Sequence, residues 1–282
     1  MDAAALEEYR RTSLEMWGQM ASGWERRRAR IDESMRPVRE WLLHELTPEA
    51  GDTVLELAAG PGDTGLAAAA LVGSSGHVIS TDFSAEMVDV ARRRGDELGV
   101  RNVEYRTMDA ERIDVESNSV DGVICRFGLM LMADPRAALA ETRRVLRPGG
   151  RLVLAVWRGP EQNPWVALPG RVLAEHGHMA PPEPGAPGIF SMAADERVRS
   201  LLETAGFTQV DIQDVAVQTT YDDMDDYVTV ASDIGGAFSA AFRESSDDER
   251  RMLIREIAGA FEPFERDGRY ELPGVALAAV AS

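Results

Sequence analysis

Val54-Leu55-Glu56-Leu57-Ala58-Ala59-Gly60-Pro61-Gly62 is the stretch whose reading decides the fold. The short apolar run Thr53–Ala58 breaks into a glycine turn, and Asp63–Val72 beyond it has helical spacing. Gly60 and Gly62 let the backbone approach a ligand with no Cβ in the way. The helix start that follows offers free N–H groups and positive potential. Outward from this unit the pattern repeats. His77–Thr81 is strand-like and ends at Asp82, and Ser84 is placed to N-cap a helix over Ala85–Leu98. Asn102–Thr107 and Ser119–Cys125 read as strands. Pro135–Leu146 reads as a helix stopped by Pro148-Gly149-Gly150, and Arg151–Trp157 as a fifth strand. Strands alternating with helices predict an α/β fold, a doubly wound and mostly parallel sheet with helices on both faces.

The flanks divide around this core, residues 51–157. Residues 1–50 form a helical cap, in which Trp17, Met20 and Trp24 share one helix face and a second helix fits Arg36–Leu46. Residues 158–194 hold seven prolines, at 160, 164, 169, 181, 182, 184 and 187, and predict a long loop or a loosely built insert. Residues 195–282 return to regular spacing. They comprise a helix over Asp195–Ala205, a strand over Thr208–Val217, an acidic helical stretch at 222–265 and a last strand near Tyr270–Val280.

Composition narrows the function. All 30 basic residues among the 282 are arginine; 48 acids leave a net charge of −18. Such acidity argues against a protein that grips nucleic-acid phosphates or an anionic membrane surface. No apolar run approaches the roughly 20 residues of a membrane span. Met1–Glu8 shows neither the basic start nor the apolar core of a secretory signal, so a cytoplasmic protein is expected. The single cysteine, Cys125, rules out internal disulfides. Residues 158–282 carry 10 arginines against 22 acids. That concentration favours a neutral or cationic small molecule as partner.

Three strand ends converge on one ligand. In a parallel sheet, ligands sit beyond the carboxyl ends of the strands where strand order reverses. Asp82 ends strand 2, seventeen residues after Gly65, and its carboxylate suits a ribose diol. Met108-Asp109-Ala110-Glu111 follows strand 3, where an acid accepts from an adenine amino group. Cys125-Arg126-Phe127-Gly128 closes strand 4 near the reacting end. A competing parse takes Gly60, Gly62 and Gly65 as a dinucleotide fingerprint and implies a nicotinamide-dependent oxidoreductase. Glu56 inside the strand and the turn Leu146–Gly150 leading into strand 5 weigh against it.

VLELAAGPGDTG, Asp82, MDAE, VICRFGLMLMADP and RVLRPGGRLVLAVW together resemble the class I S-adenosylmethionine (SAM)-dependent methyltransferases. The likeness is greatest to the small-molecule branch of ubiquinone and menaquinone biosynthesis, and it spans about residues 50–157, with a weaker echo at Leu201–Phe207. The resemblance implies a seven-stranded sheet whose last strand is antiparallel, a helical lid over about 222–265, and SAM as cofactor. It implies that Glu56 and Ala58 to Gly62 (Ala58, Ala59, Gly60, Pro61, Gly62) wrap the methionine part. Asp82 would hold the ribose, Phe83 and Met87 flank the adenine, and Met108, Asp109 and Ala110 meet its edge. Cys125 and Arg126 would border the sulfonium. Ala58 stands where the family has its first loop glycine. A non-methylating cyclase or SAM-binding protein on the same fold is the alternative.

The expected chemistry is methyl transfer to a small-molecule metabolite by in-line displacement. Its leaving sulfide is neutral, so the reaction requires no metal or oxyanion hole; alignment is what the protein must supply. His176 and His178, in the Pro-rich insert, are the candidate general bases. With Glu175 they are too few for a metal site, and none is expected. Trp17, Trp24, Phe127, Met130, Trp157 and Trp165 are candidate walls of an apolar acceptor pocket, with Met132 and Arg158 beside them.

Overall fold

β1 (Thr53–Leu57) is the centre of the molecule because a run of five residues with four buried has to be covered on both faces. The computed structural model describes residues 3–180 and 185–282; Met1, Asp2 and the prolines 181, 182 and 184 lie outside the described residues. Beside β1 lie β2 (His77–Asp82), β3 (Val103–Thr107), β4 (Val120–Arg126), β5 (Leu146–Trp157), β6 (Val210–Tyr221) and, after a two-residue β7 (Glu265–Arg266), β8 (Arg269–Ala281). The order is β3-β2-β1-β4-β5-β8-β6, with β7 paired to β8 at its start. The first five strands are mutually parallel, and β8 runs antiparallel between β5 and β6. The seven-stranded, doubly wound sheet is therefore present, with β7 added as a hairpin stub. Strand order reverses between β1 and β4, which opens a crevice at their carboxyl ends.

Helices flank the sheet as their spacing predicts. α1 (Ala3–Ser34) and α2 (Arg36–Leu46) precede it; α3 (Asp63–Val72), α4 (Ala85–Glu97) and α5 (Pro135–Val145) are its crossovers; α7 (Asp195–Thr204) leads into β6. Ser84 caps α4 by accepting from the Met87 N–H, and Asp134 caps α5 with Pro135 at its first position. Leu55, Leu57, Ile124, Leu152 and Leu154 are fully buried in the sheet core. At roughly 1.5–3 kcal/mol for each such side chain, this layer holds the strand ends in place.

The insert at 158–194 is more ordered than its prolines suggest. It holds α6 (Pro164–Glu175), which starts on Pro164 and continues through Pro169. Pro164 stands where a helix has no N–H bond to lose. Fully buried Asn163 anchors the start: its side chain donates to the carbonyls of Arg158 and Val275 and accepts the Val275 N–H at 3.0 Å. The segment 222–265 becomes α8 (Met224–Ile234), α9 (Gly236–Glu244) and α10 (Asp247–Phe261), which pack with α6 into a second apolar cluster.

α1 spans both halves. It packs on α4 at one side and on α8 and α9 at the other. Arg28 pairs with Asp63 (2.8 Å), Arg27 with Asp233 (2.6 Å), and Arg30 with Asp226 (2.6 Å). Part of the C-terminal acidity is thus spent on arginines of α1 rather than left to solvent. Among the described residues, no helix is long and apolar enough to cross a membrane.

Candidate active site

The turn after β1 is shaped by three left-handed residues, Ala58 (φ 50°), Gly60 (φ 53°) and Gly62 (φ 82°). Gly60 has nothing within 4 Å of where a Cβ would stand, so its face is open to a ligand. Ala58 bears strain that a glycine would not. Gly128, across the crevice, makes room for its methyl: a Cβ there would lie 2.4 Å from that of Ala58. Phe127 is also left-handed (φ 61°), held by its N–H to the Ala155 carbonyl at 2.8 Å. Strain at a cavity wall is kept only where the surroundings over-determine it.

Beneath the turn lies Glu56. Its carboxylate accepts from the Gly65 N–H and the Ser80 hydroxyl, each at 2.7 Å. Burial pushes its pKa up to about 7, outweighing those bonds and the nearby Arg126. A pKa raised on folding means that the stability is full below the ordinary value of 4.5 and is lost as pH rises through 7. Glu56→Gln keeps the shape and removes the titration. The wild type is therefore expected to lose about 3 kcal/mol relative to this variant between pH 4.5 and 8, measured by urea denaturation. A stability gap between the two that is flat in pH contradicts this account.

At the end of β2, Asp82 accepts the Gly60 N–H (2.9 Å) and the Ser84 N–H (3.0 Å), one on each oxygen. Burial raises its pKa, opposed by those N–H groups. A carboxylate has about four acceptor positions, so lone pairs remain for a ligand. After β3, Asp109 accepts the Glu111 N–H at 2.9 Å. Glu111 itself is committed elsewhere: it binds Arg10 of α1 at 2.6 Å and the Asp134 N–H at 2.8 Å.

These strand ends face one cavity of about 1520 Å³. Glu56, Ala58, Ala59, Gly60 and Pro61 line it from β1, Asp82, Phe83 and Met87 from β2 and α4, Met108, Asp109 and Ala110 from β3, and Arg126 from β4. Gly62 and Cys125 do not line it. Gly62 instead lets α3 start against α4, where a Cβ would meet that of Ala91 at 2.8 Å. Cys125 is buried in the core, and burial pushes its thiol up to about 12, which leaves no thiolate to act.

The same cavity takes in Trp17, Trp24, Phe127, Met130, Trp157 and Trp165. Phe127 stacks on Trp157 at 4.2 Å, and Trp165 meets Trp157 edge-on at 5.1 Å, forming one aromatic wall. Arg158 faces away, bound to Asp195 and Asp214. His176 and His178 are corrected as well. They sit at the far end of α6 and bind Glu256 (2.9 Å) and Glu249 (3.1 Å) of α10, outside the cavity lining. Residues not singled out from sequence complete the chamber: Arg30 and Ile31 of α1, Tyr221, and Tyr227, Val230 and Phe238 of the C-terminal helices. Ile31 extends the Trp17–Met20–Trp24 stripe by seven residues; the others carry no sequence signal short of the fold itself.

Comparison with known proteins agrees with this geometry. A family model described as a methyltransferase domain matches residues 54–150. The chain is 35% identical to a demethylmenaquinone methyltransferase of Clavibacter sepedonicus over 177 residues, 59% of this chain and 69% of that one. It belongs to the class I SAM-dependent methyltransferases. This methyltransferase is also 32% identical to the ubiquinone/menaquinone biosynthesis C-methyltransferase UbiE of Coxiella burnetii over 46% of its own length, and spans only about half (52%) of that relative. The crystal structure of the YcgJ protein from Bacillus subtilis shares its fold, with a TM-score of 0.58 and 20% identity over 86% of this chain and 96% of that one. Its cofactor is SAM. The nicotinamide parse falls with this, and Gly65, the third glycine of that parse, has a different task, giving the Glu56 carboxylate room at α3.

Proposed function

We propose that this methyltransferase transfers the SAM methyl group by in-line displacement to a bulky, largely apolar small molecule that arrives neutral or cationic. The size of this cavity carries the reading. At about 1520 Å³ it exceeds the roughly 300–1,000 Å³ of a pocket for one drug-sized ligand, so cofactor and acceptor fit side by side. The open turn at Gly60 and the spare lone pairs of Asp82 and Asp109 suit the cofactor half. There, Ala58–Pro61 cradle the methionine part, Asp82 takes the ribose hydroxyls, Phe83 and Met87 enclose the adenine, and Asp109 accepts its amino group. When bound, SAM supplies an electrophilic methyl on a sulfonium.

The other half is assigned to the acceptor. Phe127, Trp157 and Trp165 offer ring faces, and Tyr227, Val230 and Phe238 close the far end. The Clavibacter sepedonicus relative is named for demethylmenaquinone, and a ring compound of that kind suits these walls. The helices α8 to α10 serve as a lid that keeps water from the reaction. No histidine lines the cavity among the described residues. Alignment is the contribution that this reading assigns to the protein. The acidic surface of residues 158–282 disfavours anionic acceptors at the entrance.

Incubation with SAM and matched pairs of bicyclic phenols, neutral and carboxylated, tests this. S-adenosylhomocysteine (SAH) should accumulate with the neutral members and at least tenfold more slowly with the carboxylated ones. Faster turnover of the anionic members would contradict the reading.

A further inference from the structure

Arg126 is the one cavity-lining cation, among the described residues, whose side chain retains a buried nitrogen with no partner. It ends β4 with its side chain 13% exposed, on the sheet face that also carries Glu56. Its Nη1 makes no hydrogen bond; the nearest acid, Asp32 of α1, is 4.0 Å away. A buried charged donor without an acceptor is costly, by more than a neutral one.

The acids around Arg126 are each claimed by another group. Asp32 is bound by Arg39. Asp63, at the start of α3, is bound by Arg28 at 2.8 Å. Glu56 already accepts from Gly65 and Ser80 and is half protonated near neutral pH. The other lining arginines differ. Arg10 is engaged by Glu111, Arg30 by Asp226 and the Thr220 carbonyl, and Arg11 and Arg171 are exposed beside Glu15 and Glu175. The cavity thus holds one buried guanidinium still short of an acceptor, under the glycine turn.

A second positive charge beside the sulfonium would work against binding the cofactor. The same cofactor carries an anionic group at the end of its methionine part, which the turn above Arg126 is proposed to cradle. We propose that Arg126 is the anchor for the methionine α-carboxylate of SAM, filling the empty donor position at Nη1. This rests on the proposed placement of the cofactor. Arg126 then acts as a positioning residue: by fixing the tail, it fixes the direction in which the methyl group points.

Calorimetric titration with SAH and with its decarboxylated analogue, 5′-(3-aminopropylthio)-5′-deoxyadenosine, tests the assignment. The wild type should bind SAH about ten- to a hundredfold more tightly than the analogue, as expected for a charge-assisted bond. In Arg126→Gln that preference should vanish, with SAH falling to the level of the analogue and the analogue unchanged. Arg126→Lys should recover part of the SAH affinity. The cycle between protein and ligand separates this from a structural role. Loss of both ligands to the same degree in Arg126→Gln would overturn the proposal, as would an unchanged preference for SAH, which would assign Nη1 to the acceptor. Should the glutamine variant not fold, equal affinity of the wild type for the two ligands is enough to overturn it. Failure of the wild type to bind either ligand would instead overturn the placement of the cofactor, and this assignment with it.

Discussion

Gly65→Ala should destabilise the protein by about 3 kcal/mol, despite placing a better helix former in the first turn of α3. A Cβ at this position would lie 2.1 Å from Glu56 Oε2 and 2.8 Å from its Cδ. Glu56 cannot swing away cheaply. It is buried, and moving it breaks the bonds from Gly65 and Ser80 and strands a carboxyl group in the core. The helix cannot retreat without pulling the Gly60–Gly62 turn off β1. The propensity gain of about 1 kcal/mol is smaller than either cost. Thermal unfolding should show Tm lower by roughly 6–12 °C. A double substitution with Glu56→Ala should recover much of that loss, because the two positions touch. Additive losses in the double variant would show that Gly65 matters for some other reason.

Asp82→Asn should weaken SAH binding by ten- to a hundredfold while the protein stays folded. The carboxylate receives one backbone N–H on each oxygen, from Gly60 and Ser84, and keeps lone pairs toward the cavity. An amide replaces one of those acceptors by a donor. Because each oxygen faces a backbone N–H, either orientation of the amide sets its NH₂ against Gly60 or Ser84, and that atom no longer accepts from the ribose. Hydrogen bonds to a charged group are worth about 1.5–3 kcal/mol, which sets the expected range. Equal SAH affinity in wild type and variant, measured by calorimetry, would remove Asp82 from the site.

Much of this is legible before any coordinates. Alternation of apolar runs with capped helices places β1 to β4 and α2 to α5 within a residue or two, because local signals such as Ser84, Pro135 and the glycine turn coincide with the ends; β5 instead starts five residues before Arg151, at Leu146, where Leu146 pairs with Val120 ahead of a register shift in the ladder. The strand-end acids follow from topology, since parallel strands bring their carboxyl ends together wherever they lie in the chain. Other features depend on contacts that periodicity cannot reveal. α6 forms in a proline-rich segment because Asn163 is gripped by β8. β6 runs on to Tyr221 because β8 pairs with it as far as Tyr270. His176 and His178 share a loop with cavity residues, yet the turn after α6 points them at α10. Glu111 resembles a ligand acid in sequence, and only the docking of α1 shows that Arg10 occupies it.

Hydrogen–deuterium exchange of the wild type with and without SAH tests the central claim, that the cofactor lies across the ends of β1 to β4 beneath α1. Binding there should slow exchange in peptides covering 58–66, 82–88, 108–113 and 126–129, with α1 following as its contacts over the site are held. Protection confined to other segments, or none under saturating SAH, would contradict it.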